Sequence, residues 1–145
     1  MKQSDLDDLI DPPVPEGFEI ITGKGQFTTL VGPTYSRRDP DGGATFGVRI
    51  ADKHLNRRGV VHGGMLMTFM DHLLGHTVHM DVGRQATATV QLDNQFLGAV
   101  RAGNWLTGKG EIVRRTRSLV FVSGRLWVDD QAVLLSSGVW KILGA

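Results

Sequence analysis

Residues 56–78, NRRGVVHGGMLMTFMDHLLGHTV, constrain the fold of this chain more than any other stretch. They open in a polar turn containing Gly59, pass through His62, Gly63 and Gly64, and continue as an apolar segment broken by one carboxylate, Asp71. From Gly63 onward Leu66, Met70 and Leu73, with Met65, Phe69 and Leu74 beside them, recur at spacings of three and four, the period of an α-helix. The spacing predicts a mostly buried helix of about four turns. A carboxylate set among Phe69, Met70, Leu73 and Leu74 is costly to bury unless it is paired or neutral. Asp71 is therefore the first candidate for chemistry.

The remaining chain reads as strands around that helix. Ser4 is placed to cap a short helix to about Asp8, with Asp5, Asp7 and Asp8 near its positive end, before Pro12, Pro13 and Pro15 stop it. This makes residues 1–16 an N-terminal arm and 17–145 one domain. Residues 17–34 suggest short extended pieces, and 33–43, with Arg37, Arg38, Asp39, Pro40 and Asp41, a solvated turn-rich loop. Residues 44–51 alternate Phe46, Val48 and Ile50 with Thr45, Gly47 and Arg49, as a half-buried strand does. After a turn at 81–85, residues 86–97 alternate Thr87, Thr89, Gln91, Asp93 and Gln95 with Ala88, Val90, Leu92, Asn94 and Phe96. Strands follow at 104–115, at 118–128, which is apolar on both faces like a central strand, and at 132–143 after a hairpin turn. Such a sheet must wrap its single long helix to bury its apolar face. The expected class is α+β: one central helix, a five- to six-stranded antiparallel sheet and a short N-terminal helix.

At 145 residues and 41% hydrophobic content the chain suits one domain with a real core. Its 16 basic and 15 acidic residues give a formal charge of +1, which argues against a nucleic-acid partner. Without cysteine there is no disulfide, thiolate nucleophile or cysteine metal site. The acidic N-terminus does not resemble a signal peptide, and no apolar run reaches the roughly 20 residues of a membrane span, so a cytoplasmic protein is expected. His72, His76 and His79 lie at helical spacings that can hold zinc. With no second ligand-bearing segment they are expected to be solvated or hydrogen-bonded, leaving no metal and no cofactor.

The run Asn56, Arg57, Arg58, Gly59, Val60, Val61, His62, Gly63, Gly64, followed by Asp71 on the helix, resembles the hotdog-fold acyl-CoA thioesterases, and within them the phenylacetate-pathway (PaaI-like) type. The likeness covers residues 44–143, including TATVQLDNQFL after the helix and the final VWKIL. It implies a helix held in a curled sheet, two subunits joined into one continuous sheet, commonly two such dimers in a tetramer, and active sites at the subunit interface.

Thioester hydrolysis needs a polarised carbonyl, an activated water or carboxylate nucleophile, and donors for the developing oxyanion. Gly63 and Gly64 stand where the helix begins, so their N–H groups lack intrahelical partners and gain from the helix dipole. The resemblance assigns the thioester oxygen to the Gly63 N–H, with Asn56 orienting the carbonyl or water. Asp71 is eight residues on, about 12 Å along the axis and 80° around it, too far to serve the same carbonyl within one chain. The resemblance resolves this by pairing Gly63 of one subunit with Asp71 of the other, as general base or nucleophile. Thr89 matches a hydroxyl residue that holds the water beside the acid, and His62 orders the loop or meets the substrate near sulfur. His72, Leu73 and Leu74 are bulkier than the residues many relatives carry there and are expected to narrow the acyl pocket. Gly64, Arg57, Arg58 and Arg115, with Arg114 and Arg117, are candidates for the coenzyme A moiety by position or charge. The expected activity is hydrolysis of a small, medium or aromatic acyl-CoA. The alternatives are a hotdog acyl-thioester hydratase or dehydratase, which needs an imidazole beside the acid, and a non-catalytic acyl-CoA-binding protein, which does not need Asp71.

Overall fold

A computed structural model of the chain describes residues 13–145; the helix expected from Ser4 falls outside them. Seven strands and two α-helices follow in the order β1 (Glu19–Ile20), α1 (Gln26–Val31), β2 (Thr34–Arg38), β3 (Ala44–Arg49), α2 (Gly63–Asp81), β4 (Thr87–Phe96), β5 (Trp105–Arg115), β6 (Leu119–Val128) and β7 (Gln131–Ile142), with a 3₁₀ turn at Asp52–His54. All neighbouring strands are antiparallel, in the spatial order β1-β2-β3-β5-β6-β7-β4. The sheet curls around α2, which is the hotdog arrangement.

The 19-residue α2 runs slightly longer than the spacing predicts and buries Met65, Leu66, Phe69, Met70, Leu73, Leu74 and Val78. It packs close to the sheet because Gly110 of β5 and Gly124 of β6, directly opposite one another, leave room beneath it. A Cβ on Gly110 would stand 2.8 Å from Leu74 Cδ2, and one on Gly124 would stand 2.6 Å from Met70 Sδ. Leu106, Val122, Leu126, Leu134, Trp140 and Ile142 complete the core from the sheet side.

Two local expectations need correction, and with them the strand count. Residues 26–31 form a helical turn and a half where extended chain is expected. The β-branched residues Thr28, Thr29 and Val31 disfavour helix in isolation. Contacts with α2 hold the segment instead: Thr28 Oγ1 lies 3.2 Å from His72 Nε2, and Phe27 stands edge-on to the His72 ring. Residues 34–38, expected within a solvated loop, pair with β3 as β2. Only Thr34 of β2 is buried, so the strand carries almost no apolar pattern. Its arginines are on the surface, Arg37 lying over the Phe18 ring and against Asp39. With β1 and β2 added, the sheet has seven strands rather than five or six.

Candidate active site

The turn ahead of α2 is built around Asn56. Its N–H donates to the Val60 carbonyl (2.7 Å) and its carbonyl accepts from the Gly59 N–H (3.1 Å). Its Oδ1 accepts from the N–H groups of Arg58 (2.9 Å) and Val60 (3.4 Å). Two backbone donors on one side-chain atom identify it as the oxygen, which leaves Nδ2 as a donor with no partner among the described residues. Gly59 has φ of 80°, a conformation that costs glycine alone almost nothing. Behind the turn, buried His54 ties three segments together. Its Nδ1 accepts from the Ala51 N–H (3.0 Å), its Nε2 donates to the Val31 carbonyl (2.6 Å), and its own carbonyl accepts from the His62 N–H (2.9 Å). Burial lowers its pKa below the ordinary imidazole value.

His62 is the N-cap of α2, and its Nδ1 accepts from the Gly64 N–H at 2.8 Å. This corrects the expectation of two free glycine donors. The Gly64 N–H is taken by the cap, and Gly63 alone retains an N–H without a hydrogen bond among the described residues. The accepting Nδ1 places the neutral ring's proton on Nε2. Phe96, at the end of β4 and 53% exposed, flanks this donor: a Cβ on Gly63 would lie 3.2 Å from its ring. The only sign of Phe96 in the sequence is a large aromatic at the end of a mostly polar strand.

Asp71 is half-buried rather than sunk in the core, since it faces β4 and not the interior side of α2. Its Oδ1 accepts a 2.7 Å hydrogen bond from Thr89 Oγ1. Strict alternation would put Thr89 on the face opposite Leu92, Asn94 and Phe96. A β-bulge between Thr89 and Gln91 changes the parity, so the extra residue Val90 is 59% exposed and Thr89 turns toward the helix. Bulges re-aim side chains in this way, and nothing in the alternation of residues 86–97 announces one.

Beside the Asp71–Thr89 pair lies a cavity of about 440 Å³ between α1, α2 and the start of β4. Phe46, Phe69, Trp140 and Ile21 give it an apolar lining, and Thr28, Thr87, His72, His76 and Lys24 a polar one. The three helical histidines have separate partners: Thr28 Oγ1 for His72, Lys24 Nζ for His76 (3.4 Å) and the Gln85 carbonyl for His79 (3.0 Å). Among the described residues no three ligand-type side chains converge on a metal-sized point. Burial lowers the pKa of both His72 and His76; the Asp71 charge opposes the shift at His72, and the Lys24 charge adds to it at both. The other nitrogen of His72, Nδ1, is sealed from solvent without a partner among the described residues.

Arg57 and Arg58 are exposed at the turn near Gly63. Arg115 is at the opposite end of α2, where it donates to the Asp81 carbonyl (2.9 Å) and sits 3.8 Å from the Asp81 carboxylate. The structure thus brings together Asn56, His62, Gly63 and Phe96 at one end of α2 and Asp71 with Thr89 at its middle. It does not bring Gly63 to Asp71 within one chain.

Residues 58–135 match the family model of the thioesterase superfamily. The chain is 32% identical over 130 residues, 89% of its length and 97% of the other, to a Pseudomonas aeruginosa protein whose name provisionally makes it an esterase. Among solved structures, it resembles a Bacillus halodurans protein crystallised with CoA (20% identity, TM-score 0.77, covering 86% of this chain and 83% of that one). It also resembles the E. coli PaaI protein of the phenylacetic acid degradation operon (18% identity, TM-score 0.65, 70% and 73%). At these identities the solved structures establish the fold they share.

Proposed function

The chain belongs to the thioesterase superfamily, and on that premise we propose that it hydrolyses a small, medium or aromatic acyl-CoA to the free acid and CoA. The observation that carries this reading is the Asp71–Thr89 hydrogen bond at the edge of the cavity. A carboxylate oriented by a hydroxyl donor keeps its second oxygen for a water or for the substrate carbonyl, with space beside it for an acyl group.

In the hydrolysis the carbonyl carbon gains a C–O bond and loses its C–S bond. Asp71 either takes a proton from the attacking water or attacks directly to give an anhydride that water then opens; the departing thiolate is protonated to free CoA. The oxyanion is met by the Gly63 N–H, aided by the partial positive charge of the α2 N-terminus. Asn56 Nδ2 and the Nε2–H of His62 are further donors on that rim. Gly64 contributes through its small size, since its N–H is occupied by the cap. Arg57 and Arg58, exposed and without an ion pair among the described residues, can meet CoA phosphates, whereas Arg115 must share its guanidinium with Asp81.

The reading requires a homodimer in which Gly63 of one chain faces Asp71 of the other, alone or as half of a tetramer. Support comes from β4, an edge strand of ten residues with one side unpaired among the described residues, with Val90 and Phe96 exposed on it, Leu97 exposed just past its end and Met67 exposed on α2. A long exposed edge strand that carries such apolar side chains invites pairing with a second strand. No described helix is long and apolar enough to cross a membrane.

The test is release of free thiol from short, long and aromatic acyl-CoA esters by wild type and Asp71→Ala, with and without a chelator. The reading predicts turnover that falls by roughly 10²-fold or more in the variant and ignores the chelator. Tight binding without hydrolysis would move the protein to the binding or hydratase classes, and loss of activity with the chelator alone would return attention to the helical histidines.

A further inference from the structure

The cavity beside Asp71 has a neighbour. A second cleft of about 400 Å³ lies on its far side, lined by Ser36, Arg38, Ala44, Met80 and Ile112, and the two spaces share only Phe46 and His76 among their walls. These two rings meet edge to face, with centroids 5.3 Å apart and planes at 72°. Phe46 is fixed in the core at 3% exposure, while His76 is half-buried on α2 and held by Lys24. His76 lies five residues beyond Asp71, about 7.5 Å along the helix axis and about 140° around it, and both line the first cavity. An acyl group that starts beside Asp71 and fills this cavity meets the partition as one of its walls.

We propose that the Phe46–His76 pair is the end wall of the acyl site and sets the longest acyl group the protein accepts. The proposal rests on the acyl-CoA reading above for the identity of the ligand. With the wall in place, a longer chain has to bend back toward the mouth or leave methylenes in water. Removal of the imidazole joins the two spaces, and the tail can run on past Ala44, Met80 and Ile112.

The experiment measures dissociation constants for a series of S-alkyl-CoA thioethers from four to sixteen carbons, which cannot be hydrolysed, alongside hydrolysis of the matching esters. Wild type is compared with His76→Ala and with Phe46→Leu, the first a strong helix former at a half-buried site, the second an apolar replacement within the core. Each methylene that finds apolar room should tighten binding by about three- to fourfold. Wild-type affinity should climb with length and then stop, and in both variants the stopping point should move out by several carbons. An unchanged length profile in well-folded variants overturns the proposal, as does wild-type affinity that climbs without a break to sixteen carbons. If no thioether binds at any length, the cavity is not an acyl site and the inference falls. If thioethers bind with the expected limit but no ester is hydrolysed, the thioesterase reading falls and the wall stands.

Discussion

Replacing Thr89 by valine removes one hydroxyl from the candidate site and little else. The two side chains are nearly isosteric, both favour extended backbone, and position 89 is exposed, so neither overpacking nor a cavity results. What disappears is the 2.7 Å donor to Asp71. A hydrogen bond to a charged group is worth about 1.5–3 kcal/mol net, and water access to this half-buried carboxylate brings the value toward the lower end. At about 1.4 kcal/mol per factor of ten, kcat/KM should fall by roughly 10- to 30-fold. Stability should change by no more than about 0.5 kcal/mol. Thiol release measured for wild type, Thr89→Val, Thr89→Ser and the same substitutions on an Asp71→Asn background separates a role through Asp71 from a general one. If Thr89 acts by orienting Asp71, serine restores most of the activity, and valine costs nothing further once the carboxylate is gone. Wild-type rates in Thr89→Val, or an equal loss on both backgrounds, would refute the reasoning.

His62→Ala should uncap the Gly64 N–H and cost about 1 kcal/mol of stability, read as a melting temperature lower by a few degrees. Gly124→Val should push into Met70 and Leu74 beneath α2 and cost about 1–3 kcal/mol, measurable by urea unfolding. Stability should also decline as pH falls below 6.5, the ordinary imidazole value. His54, His72 and His76 have lowered pKa values, so the unfolded chain takes up protons first and is favoured on the acid side. Melting temperatures between pH 7.5 and 5.5 test this, and His54→Gln should flatten the slope.

The parts legible in the sequence are those in which local pattern and burial agree. Leu66, Met70 and Leu73 mark the buried side of α2 because their spacing matches a helix that the sheet surrounds. The order of β3, α2 and β4 to β7 follows from apolar alternation and turn residues in the same way. The misreadings arise where a distant contact decides. Gln26–Val31 is helical because α2 supports it, and Thr34–Arg38 is a strand because β3 pairs with it, though neither segment carries an apolar period of its own. Thr89 reaches Asp71 through a bulge that alternation does not encode. Asp71 is less buried than its neighbours imply because α2 has an open side along the β4 edge. His62 draws attention as a chemical group, yet its Nδ1 caps the helix and thereby leaves Gly63 as the remaining free donor. The shared walls of two cavities, Phe46 from β3 and His76 from α2, meet only in three dimensions.

The central claim is that Asp71 of one chain works with the Gly63 N–H of another. Gly63→Pro deletes that donor at the first helical position, where proline is well tolerated. His62 already has the extended backbone a following proline favours (φ −61°, ψ 133°), and exposed Phe96 has space to give way. Co-expression of Asp71→Ala chains with Gly63→Pro chains, each inactive alone, yields mixed dimers with one intact Asp71–Gly63 pair, provided the site is shared. The account predicts recovery of about a quarter of wild-type acyl-CoA hydrolysis in a random mixture, because half the dimers are mixed and each has one site of two. A co-expressed mixture that contains mixed dimers and yet stays inactive would contradict it.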